Sequence, residues 1–171
     1  MTYQNQDSND THGAARSGAE REKMLREFFE TNGLTLIKKK SECKQLGISY
    51  EGTIRHRVPE EYAECGFNYF LTDGYCPELD VIVELKGGDK SGTTEEKVFF
   101  DLEKLRDGCY GNRTVFYITE GKKETDKCSK LFTKKLIKSQ EKGEIAENVY
   151  VLPYSQLTKE LLVEVASQHS R

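Results

Sequence analysis

The chain has no Trp and only three Pro and three His among its 171 residues. The histidines lie near the N-terminus (His12), in a basic cluster (His56) and near the C-terminus (His169). A hydrolase built on a Ser/His or Cys/His pair is poorly served by that set. The five cysteines (Cys43, Cys65, Cys76, Cys109 and Cys128) are odd in number, scattered, and never spaced C-x-x-C. That argues against a zinc site and a disulfide framework, and fits free thiols in a reducing cytoplasm. No apolar run approaches the ~20 residues of a membrane span. The N-terminus also lacks the apolar core of a secretory signal, so a cytoplasmic protein with no membrane partner is expected. An excess of positive charge is missing too: 26 Lys and Arg stand against 29 Asp and Glu, a net charge of -3. Any binding to nucleic acid must therefore come from basic residues gathered locally.

What remains is a polar sequence long enough for one domain of ordinary size. Residues 1–18 are rich in Asn, Asp, Ser and Gly and read as a disordered tail, with a single domain over 19–171. Met24, Leu25, Phe28 and Phe29 recur at helical spacing within Ala19–Asn32, and Gly33 supplies a stop. Residues 34–48 fit either helix or strand. Strands are expected over Ser49–Val58, Phe67–Thr72 and Leu79–Lys86, the last two joined as a hairpin by the Gly- and Pro-containing stretch Asp73–Glu78. Thr93-Thr94-Glu95-Glu96 has the form of a capping box and opens a helix to about Arg106. Thr114–Thr119 reads as a buried strand, 125–140 as a Lys-rich helix, Asn148–Leu152 as a strand and Ser155–Ser167 as a helix. This order predicts an α/β fold with a mixed sheet, antiparallel at first and then parallel through crossover helices.

The most informative stretch is Leu79-Asp80-Val81-Ile82-Val83-Glu84-Leu85-Lys86-Gly87-Gly88. Alternate residues on a strand share a face, so Glu84 and Lys86 point the same way. An apolar strand that ends in two charges pays a solvation penalty. A salt-bridged strand end facing solvent would carry the same triplet. The functional alternative is a carboxylate that holds Mg²⁺ beside a Lys that steers water or stabilises a charged phosphorus centre.

The phrase Glu84-Leu85-Lys86-Gly87-Gly88, followed by Gly92-Thr93-Thr94-Glu95-Glu96-Lys97, resembles the E-x-K signature of the PD-(D/E)XK nuclease superfamily, in particular small type II restriction endonucleases. The resemblance covers roughly residues 20–152. It implies a restriction-endonuclease-like core, a mixed central sheet flanked by helices, and Mg²⁺-dependent hydrolysis of phosphodiesters in duplex DNA. It further implies that Glu84 binds metal, that the Leu85 carbonyl completes the site and that Lys86 orients or activates water. Such enzymes carry an acid, usually Asp, at the start of the preceding strand. Hairpin pairing around Tyr75–Cys76 places Asn68 opposite Glu84, where that acid is expected. Asn68 then becomes the second ligand, as an inactivating replacement of Asp or as a native Asn. Asp73 is the third option. It has a suitable spacing, but on this pairing it sits in the turn, about 20 Å from Glu84 at ~3.4 Å per residue. Glu27 on the first helix is a further candidate acid, and a solvated helix acid otherwise.

Duplex DNA is the expected partner. Lys123, Lys127, Lys130, Lys134 and Lys138 recur at helical spacing and form one stripe, which repels itself unless anions neutralise it. Arg55, His56 and Arg57 form a second cluster suited to phosphates or base edges. Lys90 and Lys97 flank the Gly-rich loop, where they would hold the backbone near the scissile bond. One chain offers one site, so cutting both strands implies a homodimer, or a heterodimer with a related subunit. A Holliday-junction resolvase or repair nuclease shares this constellation. A non-catalytic DNA-binding subunit is a further reading, which Asn68 keeps open.

Overall fold

The structure is a computed structural model that describes residues 18–87, 93–120 and 123–169. The expected tail, apart from Gly18, lies outside these residues, as does Lys90. Helix α1 (Gly18–Thr31) is followed by a short helix α2 (Lys40–Gln45), strand β1 (Arg55–Arg57), helix α3 (Glu60–Glu64) and strands β2 (Tyr69–Leu71), β3 (Gly74–Cys76) and β4 (Val81–Gly87). Then come α4 (Thr93–Arg106), β5 (Thr114–Glu120), α5 (Lys123–Glu141), β6 (Val149–Pro153), a 3₁₀ turn (Tyr154–Gln156) and α6 (Lys159–His169). Among the described residues, no helix is long and apolar enough to cross a membrane.

The fold is mixed α/β. Four strands form one sheet in the order β3-β4-β5-β6. The β3–β4 pair is antiparallel, whereas β4–β5 and β5–β6 are parallel and joined through α4 and α5. Both faces of the sheet are covered. On one, Leu25 and Phe29 of α1 and Leu162 and Val165 of α6 pack on Val81, Val83, Phe116 and Ile118. On the other, Val98 and Leu102 of α4 and Phe132 and Leu136 of α5 pack on Ile82, Val115 and Tyr117. This double burial is why β4 and β5 read as nearly unbroken apolar runs. Strands β1 and β2 stand apart as a two-stranded antiparallel ribbon.

The expected hairpin is not the one that forms. Tyr69–Leu71 pairs with Arg55–Arg57, and Gly74–Cys76 is the strand that pairs with β4, with Gly74 opposite Val83 and Cys76 opposite Val81. The turn is Pro77-Glu78-Leu79-Asp80, closed by Asp80 at φ +51° and by the Tyr75 hydroxyl, which donates to Asp80 Oδ1 at 2.6 Å. The expected strand Ser49–Val58 shrinks to Arg55–Arg57, because the chain turns through Gly52 at φ +76°. Gly74 reads as a turn residue, yet its role is packing. A Cβ there would lie 2.7 Å from Cδ1 of the buried Leu36. Glycine is needed so that β3 can close against the segment before α2, where Ile37 bridges to Tyr75.

Gly74→Ala is expected to destabilise the fold by about 1–3 kcal/mol through overpacking. Leu36→Ala should cost less on top of Gly74→Ala than it costs alone, because it removes the clashing side chain. Urea unfolding of the two single variants and the double variant measures this coupling, and simple additivity would show that the two positions do not clash.

Candidate active site

Strand β4 brings Glu84 and Lys86 to the face covered by α4, the face that also carries Ile82. The β3–β4 register, continued by one residue, places Asp73 opposite Glu84. The Leu85 N–H donates to Asp73 Oδ2 at 2.7 Å, and the Asp73 and Glu84 carboxyls share a hydrogen bond. Asn68 is not in this group: it is exposed and precedes β2, whose partner is β1. The hairpin register that put Asn68 opposite Glu84 is therefore corrected, and Asp73 takes the place beside Glu84. The cause is the three-residue strand β3, which the Gly and Pro around it conceal.

Helix α4 supplies two charges that the sequence reading missed. Lys104 Nζ lies 3.5 Å from Glu84 Oε1 and 2.7 Å from Asp101 Oδ1, and Lys86 Nζ lies 3.1 Å from Asp101 Oδ2. Lys104 also sits 4.4 Å from the centre of the Phe70 ring. Glu84 accepts a 2.6 Å hydrogen bond from the Tyr110 hydroxyl, which in turn lies 3.0 Å from the Tyr117 hydroxyl. Glu84, Asp101 and Lys104 are all buried. A signal for Asp101 existed: it falls on the same stripe as Val98, Leu102 and Leu105, where an acid is out of place. Tyr110 lies in the break between Gly108 and Gly111 and gave none.

Four of these charges alternate and cancel. Burial pushes the Glu84 carboxyl up, but Lys104, Lys86 and the Tyr110 hydroxyl outweigh it and hold the group ionised, below its usual range. Burial works against the Lys86 ammonium, but Glu84 and then Asp101 outweigh it and keep Lys86 firmly charged. Asp73 is different. Burial and then the charge of Glu84 push its carboxyl up to about 7. The pair thus shares a proton near neutral pH.

These residues line a cavity of about 300 Å³, with Phe70, Leu71, Leu85 and Phe100 as its apolar walls and the exposed Lys97 at its rim. Asp73 also borders a second space of about 240 Å³ beneath α1, shared with Glu22 and Lys38. Glu27 is exposed and pairs only loosely with Lys23, at 3.9 Å. It does not border either space, so the expected acid of the first helix is not brought to the site; Glu22 is the acid on that side, tied to Lys38 at 2.6 Å. Among the described residues, no three His, Cys, Asp or Glu side chains gather as a metal cage. Two adjacent carboxylates and a main-chain oxygen, with water and phosphate completing the shell, are nonetheless the sparse set that Mg²⁺ accepts.

The expected DNA contacts fall in three places. Arg55 and Arg57 border a cavity of about 570 Å³ with Arg113. His56, between them in sequence, is buried, bonded to the Thr53 carbonyl at 2.9 Å and kept neutral by burial, so it reads no base. Lys127, Lys130 and Lys134 are exposed on α5, opposite Phe132 and Leu136, which face the sheet. That helix covers the same sheet face as Glu84. No family model, curated protein or solved structure matches the chain.

The raised carboxyl of Asp73 implies a dependence of stability on pH. An acid whose pKa is raised on folding contributes fully below its unfolded pKa and loses that contribution as pH rises toward the folded value, here about 7. Relative to Asp73→Asn, the wild type should lose on the order of 4 kcal/mol between pH 4 and pH 8, at about 1.4 kcal/mol per pH unit. Denaturant unfolding of both proteins across that range checks it; parallel curves would place Asp73 in water.

Proposed function

We propose that the chain is a Mg²⁺-dependent DNA endonuclease with a PD-(D/E)XK core, in which Asp73, Glu84 and Lys86 form the acid, acid and lysine set. One observation carries this reading: an Asp whose carboxyl is held up to about 7 beside Glu84, with Lys86 opening into the same cavity. The mixed sheet with the E-x-K strand at its centre supports it. Asn at position 68 kept a non-catalytic subunit open, and that ground weakens once Asp73 stands beside Glu84.

Asp73 and Glu84 would hold the cation, with the Leu85 carbonyl as the main-chain ligand. Bound there, Mg²⁺ supplies Lewis-acid polarisation of the scissile phosphate. Lys104 and Tyr110 fix the Glu84 carboxylate and keep it ionised. Lys86 stays charged, so it orients water and stabilises developing negative charge, and does not abstract a proton. Asp101 anchors its ammonium. Lys97 stands at the cavity rim, where the DNA backbone would approach. A restriction enzyme, a Holliday-junction resolvase and a repair nuclease would share this machinery, and the first would cut both strands as a dimer.

With Mg²⁺, the protein should cleave plasmid DNA, and EDTA should abolish cleavage. Asp73→Asn, Glu84→Gln and Lys86→Ala should each lower the rate by about 100-fold or more while circular dichroism remains that of the wild type. Asn68→Asp should leave the rate unchanged. Near-normal cleavage by the Asp73 or Lys86 variant would refute the assignment.

The lysine stripe gives a separate expectation. Replacing Lys127, Lys130 and Lys134 with Gln should weaken binding to all duplexes alike, and log K against log salt should flatten by roughly 0.9 for each lysine that meets a phosphate. Salt titrations by fluorescence anisotropy measure the slope. An unchanged slope would mark the stripe as a solvated face.

A further inference from the structure

The β1–β2 ribbon has one face inside the protein and one outside, as strand alternation requires. His56 and Phe70 are opposite each other on the inner face, stacked at 5.4 Å. On the outer face Arg55 is opposite Leu71, and Arg57 is opposite Tyr69. Tyr69 and Leu71 are 49% and 47% exposed, and Phe67, just before the strand, is 61% exposed. Three large apolar side chains within five residues are thus about half exposed or more, with Phe67 edge-on to the Tyr62 ring at 5.9 Å. Tyr69 is not bare: the Arg55 guanidinium lies 3.8 Å from the centre of its ring.

The position of this face matters as much as its composition. Leu71 belongs to the wall of the cavity that holds Glu84 and Lys86. Arg55 and Arg57 belong to the wall of the larger cavity. The ribbon therefore spans the ground between the two. Glu51 pairs with Arg55 at 3.5 Å, and Arg57 donates to both the carboxylate (2.6 Å) and the carbonyl of Asp107; both are exposed ion pairs, which contribute little.

Flat rings interleaved with guanidinium groups suit one kind of ligand. Bases stack on aromatic rings, and the phosphates between them neutralise the cations. A relaxed duplex offers only phosphates here, because its bases are stacked on each other. Unpaired or splayed nucleotides offer both. We propose that the outer face of the ribbon is a stacking platform for unpaired nucleotides, with bases on Phe67 and Tyr69 and phosphates at Arg55 and Arg57. Resting on the nuclease reading above, this assigns the substrate class: DNA with unpaired nucleotides beside the bond that is cut, as at a junction, flap or single-stranded gap.

The test is a binding measurement in EDTA, so it does not depend on cleavage. Full-length protein is titrated into fluorescein-labelled oligothymidylate and into a fully paired hairpin duplex of the same length. The wild type should bind both. Phe67→Ala and Tyr69→Ala should each weaken binding to oligothymidylate by about 5- to 100-fold, the range for one stacked base, and leave duplex binding unchanged. Tyr69→Phe should restore it. Both alanine variants remove exposed side chains, and thermal melting checks that they are folded. No binding of oligothymidylate by the wild type, no loss in the variants, or equal losses on the two ligands would each overturn the platform. So would sedimentation showing a wild-type dimer that Tyr69→Ala dissociates, without a selective loss, since the face would then serve a second copy of the chain. Unchanged binding together with Mg²⁺-dependent cleavage would refute the platform alone. Selective loss without cleavage of any DNA would refute the nuclease reading alone.

Discussion

The alternating buried charges Glu84, Lys104, Asp101 and Lys86 are the constraint on which the rest of the structure turns. Each is satisfied mainly by the next, at 3.5, 2.7 and 3.1 Å. Neither oxygen of Asp101 has a hydrogen bond of ordinary geometry; the two ammonium groups are what compensate it. Isolated charges at this depth are prohibitive, and breaking a buried pair by removing one partner costs on the order of 3–5 kcal/mol. The chain of charges therefore fixes how α4 sits on β4. Any rotation of the helix by one residue would strand at least one charge in the core. The Phe70 ring under Lys104 extends the same constraint to the ribbon.

Much of the architecture was legible because burial leaves periodic marks. Strands β4 and β5 announce themselves as apolar runs, and α1, α4 and α5 announce themselves as stripes at helical spacing. Glu84 and Lys86 stood out for the converse reason, as charges where the pattern calls for apolar residues. Asp101 carried the same kind of mark within α4, one step fainter because helices tolerate acids on most faces. The short elements were hidden. Three residues are too few to show alternation, and Gly74 serves a close approach to Leu36 that only the packed structure reveals. Misreading Gly74 as a turn moved the partner of Glu84 by five residues, from Asp73 to Asn68. Lys104 and Tyr110 were beyond reach, since their positions follow from how α4 and the loop after it settle on the sheet.

The cluster is balanced without Asp73 and unbalanced with it. Two carboxylates and two ammonium groups sum to zero, and a fifth charge enters a site that is already neutral. That is why Asp73 resists ionisation. The residue that a functional account needs most is the one that stability would replace, a conflict typical of sites that do chemistry.

Asp73 borders two spaces, one under α4 and one under α1, and forms part of the partition between them. A carboxyl so placed has a back entrance. An occupant of the α4 side would leave the acid a second side, under α1, bordered by Glu22 and Lys38. The ionisation of Asp73 would then stay coupled to the medium through that second side, whatever filled the first.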